Sequence, residues 1–101
     1  MVERKRGDSV SKEVSHRNVD RFVQLGIAIS ALRKLKGMSQ EQLAEKAGIS
    51  RSLLSAIEAP GLAKAFSLEV FFDLADALEI DPAELIRTSV FSDGIVGRKP
   101  K

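Results

Sequence analysis

Apolar residues recur every three or four positions after residue 18, which is the spacing of one face of an amphipathic α-helix. Basic side chains follow in the last turn of this stretch, and Gly37 then supplies a C-terminal stop. The pattern predicts a first helix over about Val19–Lys36. Its inward stripe consists of Val19, Phe22, Leu25, Ile29 and Leu32, with Leu35 as the last candidate.

The second helix is predicted from a capping box, in which Ser39 accepts an amide hydrogen bond and Gln42 reaches back to the N-cap amide. It runs over about Gln40–Ala47 and ends at Gly48. A third short helix follows at once, so the two meet through a tight turn, where glycine takes a positive φ without a Cβ penalty. The small residue Ala44 allows the two backbones to approach. The wedge between them is predicted to contain Leu43, Ala47, Ile49, Leu54 and Ile57.

The third helix follows the cap Ser50, runs over about Arg51–Ala59 and stops at Pro60-Gly61. Its outward face is polar and carries mostly small side chains, and it consists of Arg51, Ser52, Ser55 and Ala56. A short helix with such a face fits the major groove of DNA, which is about 12 Å wide. An ordinary helical hairpin inside a bundle has the same spacing, so this pattern alone leaves both interpretations open.

Two more helices complete the predicted domain. Ser67 caps the fourth, and the sequence Asp-Pro-Ala-Glu at residues 81–84 starts a fifth that runs through about Arg87. The inward residues of the fourth helix are Leu68, Phe71, Leu74, Ala75 and Leu78. The sequence contains no repeat and no convincing strand, so we expect an all-α, compact five-helix domain over residues 18–87.

The flanking segments differ from this domain in composition. Residues 1–17 are polar and charged and predict a flexible basic arm, while residues 88–101 are a C-terminal tail that mixes apolar and basic side chains. The net charge is +5 over residues 1–51, −5 over residues 52–88 and +2 beyond. This distribution describes either an ordinary solvated surface or a basic face for an anionic partner with an acidic rear.

Composition excludes several kinds of chemistry. The 101 residues include no cysteine, which removes disulfides, thiolate catalysis and cysteine-ligated metals. His16 is the single histidine and lacks a nearby acidic trio, so we expect a solvated arm residue and no metal site. No apolar run reaches the roughly 18–20 residues of a membrane span. We therefore expect a cytoplasmic protein that is not an enzyme, with no cofactor, membrane contact or small-molecule ligand.

Residues 39–58 closely resemble the helix-turn-helix of the Cro/lambda-repressor (XRE-type) family. The resemblance covers roughly Val19–Ile86 and implies a lambda-repressor-like fold, with the helix-turn-helix formed by helices 2 and 3, that binds double-stranded DNA. The matching residues are Ser39-Gln40, Leu43-Ala44, Ala47-Gly48, Ile49-Ser50, Leu54, Ile57 and Glu58, then Ser67-Leu68, Leu74-Ala75, Ala77-Leu78, Asp81-Pro82 and Leu85.

The resemblance implies roles for individual residues on the DNA-facing side. The base contacts are expected from Arg51, Ser52, Ser55 and Ala56. Arg51 can bind guanine O6 and N7 together or a phosphate instead, Ser55 can reach a base edge or a phosphate, and Leu53 either contacts a thymine methyl or is partly buried. The phosphate contacts are expected from Ser39, Gln40, Lys46 and Lys64. A helix N-terminus already favours an anion at Gln40.

Two further features follow from the comparison with the family. Arg33 and Glu58 stand where relatives often have an ion pair that locks helix 1 to helix 3. In many relatives the third helix, which is the recognition helix of the family, is followed by Asn-Gly and basic residues that bind phosphate. Here residues 59–64 follow this helix, and Lys64 is their single charged residue. This departure keeps a second interpretation open, a protein-interaction module such as an antitoxin or anti-repressor partner.

The leading interpretation is a sequence-specific transcriptional regulator, expected to be a repressor, that acts as a homodimer. One recognition helix reads only a few base pairs, so such domains act in pairs. We expect the dimer interface at Ile86, Val90 and Phe91, which have no obvious partner within the chain.

Overall fold

A computed structural model of the protein describes residues 14–93, with the side chains of residues 90–93 excepted. Within this part of the chain a short 3-10 turn, His16–Asn18, leads into five α-helices, and no strand is present. The helices are α1 (Val19–Leu35), α2 (Gln40–Ala47), α3 (Arg51–Glu58), α4 (Leu68–Ala77) and α5 (Pro82–Asp93).

Side-chain caps determine where most of these helices begin. The Ser39 hydroxyl accepts from the amide of Gln42 at 3.0 Å, and the Gln42 carboxamide oxygen accepts from the amide of Ser39 at 2.8 Å, so the predicted capping box is present. Ser50 and Ser67 cap α3 and α4 in the same way, each accepting an amide hydrogen bond three residues on. The starts of α2 and α3 are confirmed, and the ends of α1 and α3 lie one residue before the predicted ones.

The last helix is longer than predicted. We expected α5 to end at about Arg87, and this is wrong, because the helix continues to Asp93. Residues 83–93 contain neither glycine nor proline, so nothing in the backbone stops the helix there. α5 also packs along α1, which favours continued helix over a free tail.

One hydrophobic core joins all five helices. Its largest fully buried side chains are Ile29, Leu43, Leu54, Leu74, Leu78 and Leu85. The predicted wedge between α2 and α3 is confirmed, with Ile49 only partly buried. Leu68 was predicted to face inward, but it is 68% exposed. It is the first residue of α4 and lies at the outer end of the packed stripe, whose first buried member is Phe71. Leu35 is 82% exposed at the end of α1 for the same reason.

A close contact between two backbones positions α3 against α1. Gly26 is buried in the middle of α1, and a Cβ built on it would overlap the carbonyl oxygen of Ile57 in α3. Any larger residue at position 26 would therefore force the two helices apart. The pattern of apolar residues gave no sign of this contact, because glycine has no side chain to count in a stripe.

Candidate nucleic-acid interface

The α2–α3 unit is a helical corner built on one glycine. Gly48 has φ of +73°, in the left-handed region, and its amide together with that of Ile49 closes the end of α2. Ala44 and Ala47 are buried beneath the corner. The predicted reason for interrupting the helix at Gly48 is confirmed by this geometry.

The outward face of α3 presents short polar side chains around one arginine. Arg51 and Ser52 are exposed in the first turn, and Ser55 and Ala56 are half-buried one turn later. None of the ion pairs among the described side chains includes Arg51, so its guanidinium is available to an external partner. Leu53 is partly buried and packs against the core, which favours burial over a base contact.

The N-terminus of α2 provides a second polar element. Ser39 is exposed, and its oxygen caps the amide of Gln42 while its hydroxyl hydrogen can still donate. The free amides of the first turn and the positive end of the helix dipole favour an anion here. Gln40 is half-buried, and its carboxamide nitrogen donates to Glu58 at 3.0 Å.

A buried ion pair joins α1 to the end of α3. Nε and Nη2 of Arg33 donate to the two carboxylate oxygens of Glu58 at 2.8 and 2.9 Å, and the side chains are 10% and 4% exposed. The hydrogen bond to Glu58 raises the pKa of Arg33, against the lowering effect of burial. The ion pair expected between these two residues is present. Nη1 of Arg33 also donates to the carbonyl of Met38 at 2.7 Å, so the arginine holds the loop before α2 as well.

Neither of the two lysines expected at phosphates takes part in the contacts among Arg33, Gln40 and Glu58. Lys46 is six residues beyond Gln40 along α2, roughly 9 Å by helical rise, and its ammonium is 3.7 Å from the Glu79 carboxylate. Lys64 is exposed in the loop between α3 and α4. That loop is held to α1 by an edge-to-face contact between Phe66 and Phe22, whose ring centroids are 5.5 Å apart.

The expected dimer interface is described only in part. Ile86 is 44% exposed on α5, beside a groove against α1 with a volume of about 420 Å³. The side chains of Val90 and Phe91 lie outside the described residues. So do residues 1–13, which carry most of the predicted basic arm.

The corner at Gly48, the outward polar face of α3 and the anion-favouring start of α2 together define a helix-turn-helix DNA-binding protein. Residues 29–85 match the helix-turn-helix family model, and the chain belongs to that family, in its XRE (Cro/C1) type. It is therefore a DNA-binding transcription regulator.

One similar solved structure is that of the restriction-modification controller protein C.AhdI from Aeromonas hydrophila. The two chains are 39% identical over 63% of this chain and 94% of that one, with a TM-score of 0.59. No curated protein matches the chain significantly. Between residues 14 and 93, no helix is both long and apolar enough to cross a membrane.

Proposed function

We propose that the protein binds specific double-stranded DNA sequences by inserting α3 into the major groove. The observation that carries this proposal is the asymmetry of α3. Leu54, Ile57 and Glu58 fix the helix to the rest of the domain, while Arg51 and Ser52 are exposed, and no described carboxylate forms an ion pair with Arg51. A helix held in this way can enter the groove as a rigid body.

Arg51 reads a guanine through O6 and N7, since a bidentate guanidinium contact is the commonest specific contact in this groove. Ser52 and Ser55 donate to base edges or to phosphate, and Ala56 contacts a thymine methyl. The capped start of α2 binds a phosphate through Ser39 and Gln40.

Lys46 and Lys64 add charge next to flanking phosphates. The pairing of Lys46 with Glu79 does not prevent this, because exposed ion pairs are weak and exchange readily. Residues 1–17 add further backbone or minor-groove contacts. Deleting residues 1–15 should therefore lower affinity and salt dependence together.

The regulator acts as a homodimer on two related half-sites, with Ile86, Val90 and Phe91 in the interface. The proposed action is repression, since a dimer bound across a promoter would exclude polymerase. The likeness to a restriction-modification controller supports a role of the same kind, in which the protein regulates transcription of a restriction-modification system.

The salt dependence of binding to a random duplex tests the proposal. Phosphate contacts release counterions, so the logarithm of the affinity should fall linearly with the logarithm of salt concentration. Lys46 and Lys64 from the two subunits of a dimer neutralise four phosphates, which predicts a slope of about −4 on double-stranded DNA. No retention on duplex DNA at low salt would instead favour the protein-interaction module, which has no reason to bind a polyanion.

A further inference from the structure

One buried oxygen atom is shared by three helices. Oε1 of Glu58 accepts from Nη2 of Arg33 at 2.9 Å and from Nε2 of Gln40 at 3.0 Å. The carboxylate at the end of α3 therefore holds a side chain at the start of α2, 18 residues earlier in the chain. An ion pair that served only to join α1 to α3 would need no bond to Gln40.

The bond to Glu58 fixes the direction of the Gln40 carboxamide. Nε2 carries two hydrogens, and the one that binds Glu58 determines where the second one points. Glutamine loses considerable rotamer freedom when it is ordered, so an amide that is ordered before DNA binds avoids this cost on binding.

Arg33 makes the arrangement compatible with an anion. An unpaired carboxylate next to a DNA phosphate would repel it, and the guanidinium neutralises Glu58 through two hydrogen bonds. Arg33 also holds the carbonyl of Met38, two residues before Gln40, and so fixes the backbone that leads into α2.

We propose that Glu58 is a positioning residue for DNA binding, which holds the Gln40 carboxamide so that its second N–H donates to a backbone phosphate. The inference rests on the proposed function, because it assumes that the start of α2 contacts DNA. It adds that the carboxylate that joins the end of α3 to α1 also orients the phosphate donor at the start of α2.

A double-mutant cycle tests the role of Glu58. Replacing Arg33 and Glu58 together by methionine (the Met/Met variant) removes the acceptor for Gln40 and leaves no unpaired buried charge. Proteins often tolerate the replacement of a buried ion pair by apolar residues. Gln40→Ala is then measured in the wild-type and in the Met/Met background, by fluorescence anisotropy with a random duplex. Circular dichroism confirms that each variant is folded.

In the wild-type background, Gln40→Ala should weaken binding about tenfold per bound subunit, because each subunit loses one hydrogen bond to a charged group. In the Met/Met background the same substitution should change affinity less than twofold. The matched control replaces Arg87 and Glu84, an exposed pair on α5, by methionine and should leave the tenfold effect intact.

The outcomes separate the two proposals. If the wild type does not bind duplex DNA, the proposed function fails. If it binds and Gln40→Ala costs the same in both backgrounds, only the positioning role is overturned. If Gln40→Ala costs nothing in the wild type, the phosphate contact proposed for Gln40 is overturned together with the positioning role.

A measurement on the unmodified protein tests the same role if the Met/Met variant does not fold. The order parameter of the Gln40 side-chain amide in the free protein should be close to the rigid backbone value of about 0.85. A value below about 0.6 would mean that Glu58 does not hold the amide, and it would overturn the proposal.

Discussion

Replacing Gly26 by alanine places a methyl group against the backbone of α3. In an unobstructed helix this change stabilises by about 1 kcal/mol, because alanine is the better helix former. Here the new Cβ would overlap the carbonyl oxygen of Ile57, and a backbone atom cannot move aside as the end of a flexible side chain can. The helices α1 and α3 would have to separate.

The magnitude follows from these two opposing effects. Overpacking a core typically costs about 1–3 kcal/mol, and the upper part of that range applies because the obstacle is backbone. After the gain in helix propensity, the free energy of unfolding should fall by about 1–2 kcal/mol. For a domain of this size the melting temperature should fall by roughly 4–16 °C.

Urea and thermal melts of Gly26→Ala measure the change directly. The matched control is Ala31→Gly, at an exposed position of the same helix, which should lose about 1 kcal/mol through propensity alone. A Gly26→Ala variant as stable as the wild type, or more stable, would refute the close contact between α1 and α3.

Three other variants test the core, the interface with DNA and the assembly. Glu58→Ala should lower the free energy of unfolding by about 3–5 kcal/mol, since it leaves a buried arginine unpaired. The control Glu45→Ala, at an exposed position, should change it by less than about 0.5 kcal/mol, and equal losses in urea melts would contradict a buried pair. Arg51→Ala should relax preference at one base pair by about 1–3 kcal/mol with the fold unchanged, and an intact preference in competition assays with single-base variants would make Arg51 a phosphate contact. The variant with Ile86→Asp and Phe91→Asp should sediment as a monomer, and a folded variant that stays dimeric would move the interface elsewhere.

The parts of the fold that depend on local chemistry were predictable from the sequence. Ser39, Ser50 and Ser67 each cap the helix that follows, because a hydroxyl binds an amide three residues away whatever the rest of the chain does. Gly48 was predictable because a tight corner between helices requires a positive φ.

Features set by packing between distant residues were not predictable. Gly26 meets Ile57 across two helices, and nothing local distinguishes it from any other helical glycine. The end of α5 was misplaced because residues 88–93 contain no helix breaker, and the packing of α5 against α1 cannot be inferred from periodicity. Leu68 continues the stripe of α4 in register, yet it lies at the end of the helix and remains exposed.

The candidate site shows the same division. The outward face of α3 follows from helical spacing, and its exposure agrees with the prediction for Arg51 and Ser52. The bond between Gln40 and Glu58 depends on how the start of α2 meets the end of α3, so only the three-dimensional arrangement reveals it.

The most direct test of sequence-specific recognition is selection of bound duplexes from a random library, followed by sequencing. If α3 reads the major groove as part of a homodimer, the recovered duplexes should share two similar half-sites in inverted orientation, with centres about 34–36 Å apart, one turn of DNA. Selection with Arg51→Ala should recover the same spacing but lose the preference at one position in each half-site. Recovered sequences with no common motif, or a motif that Arg51→Ala leaves unchanged, would contradict the proposal that this helix reads DNA sequence.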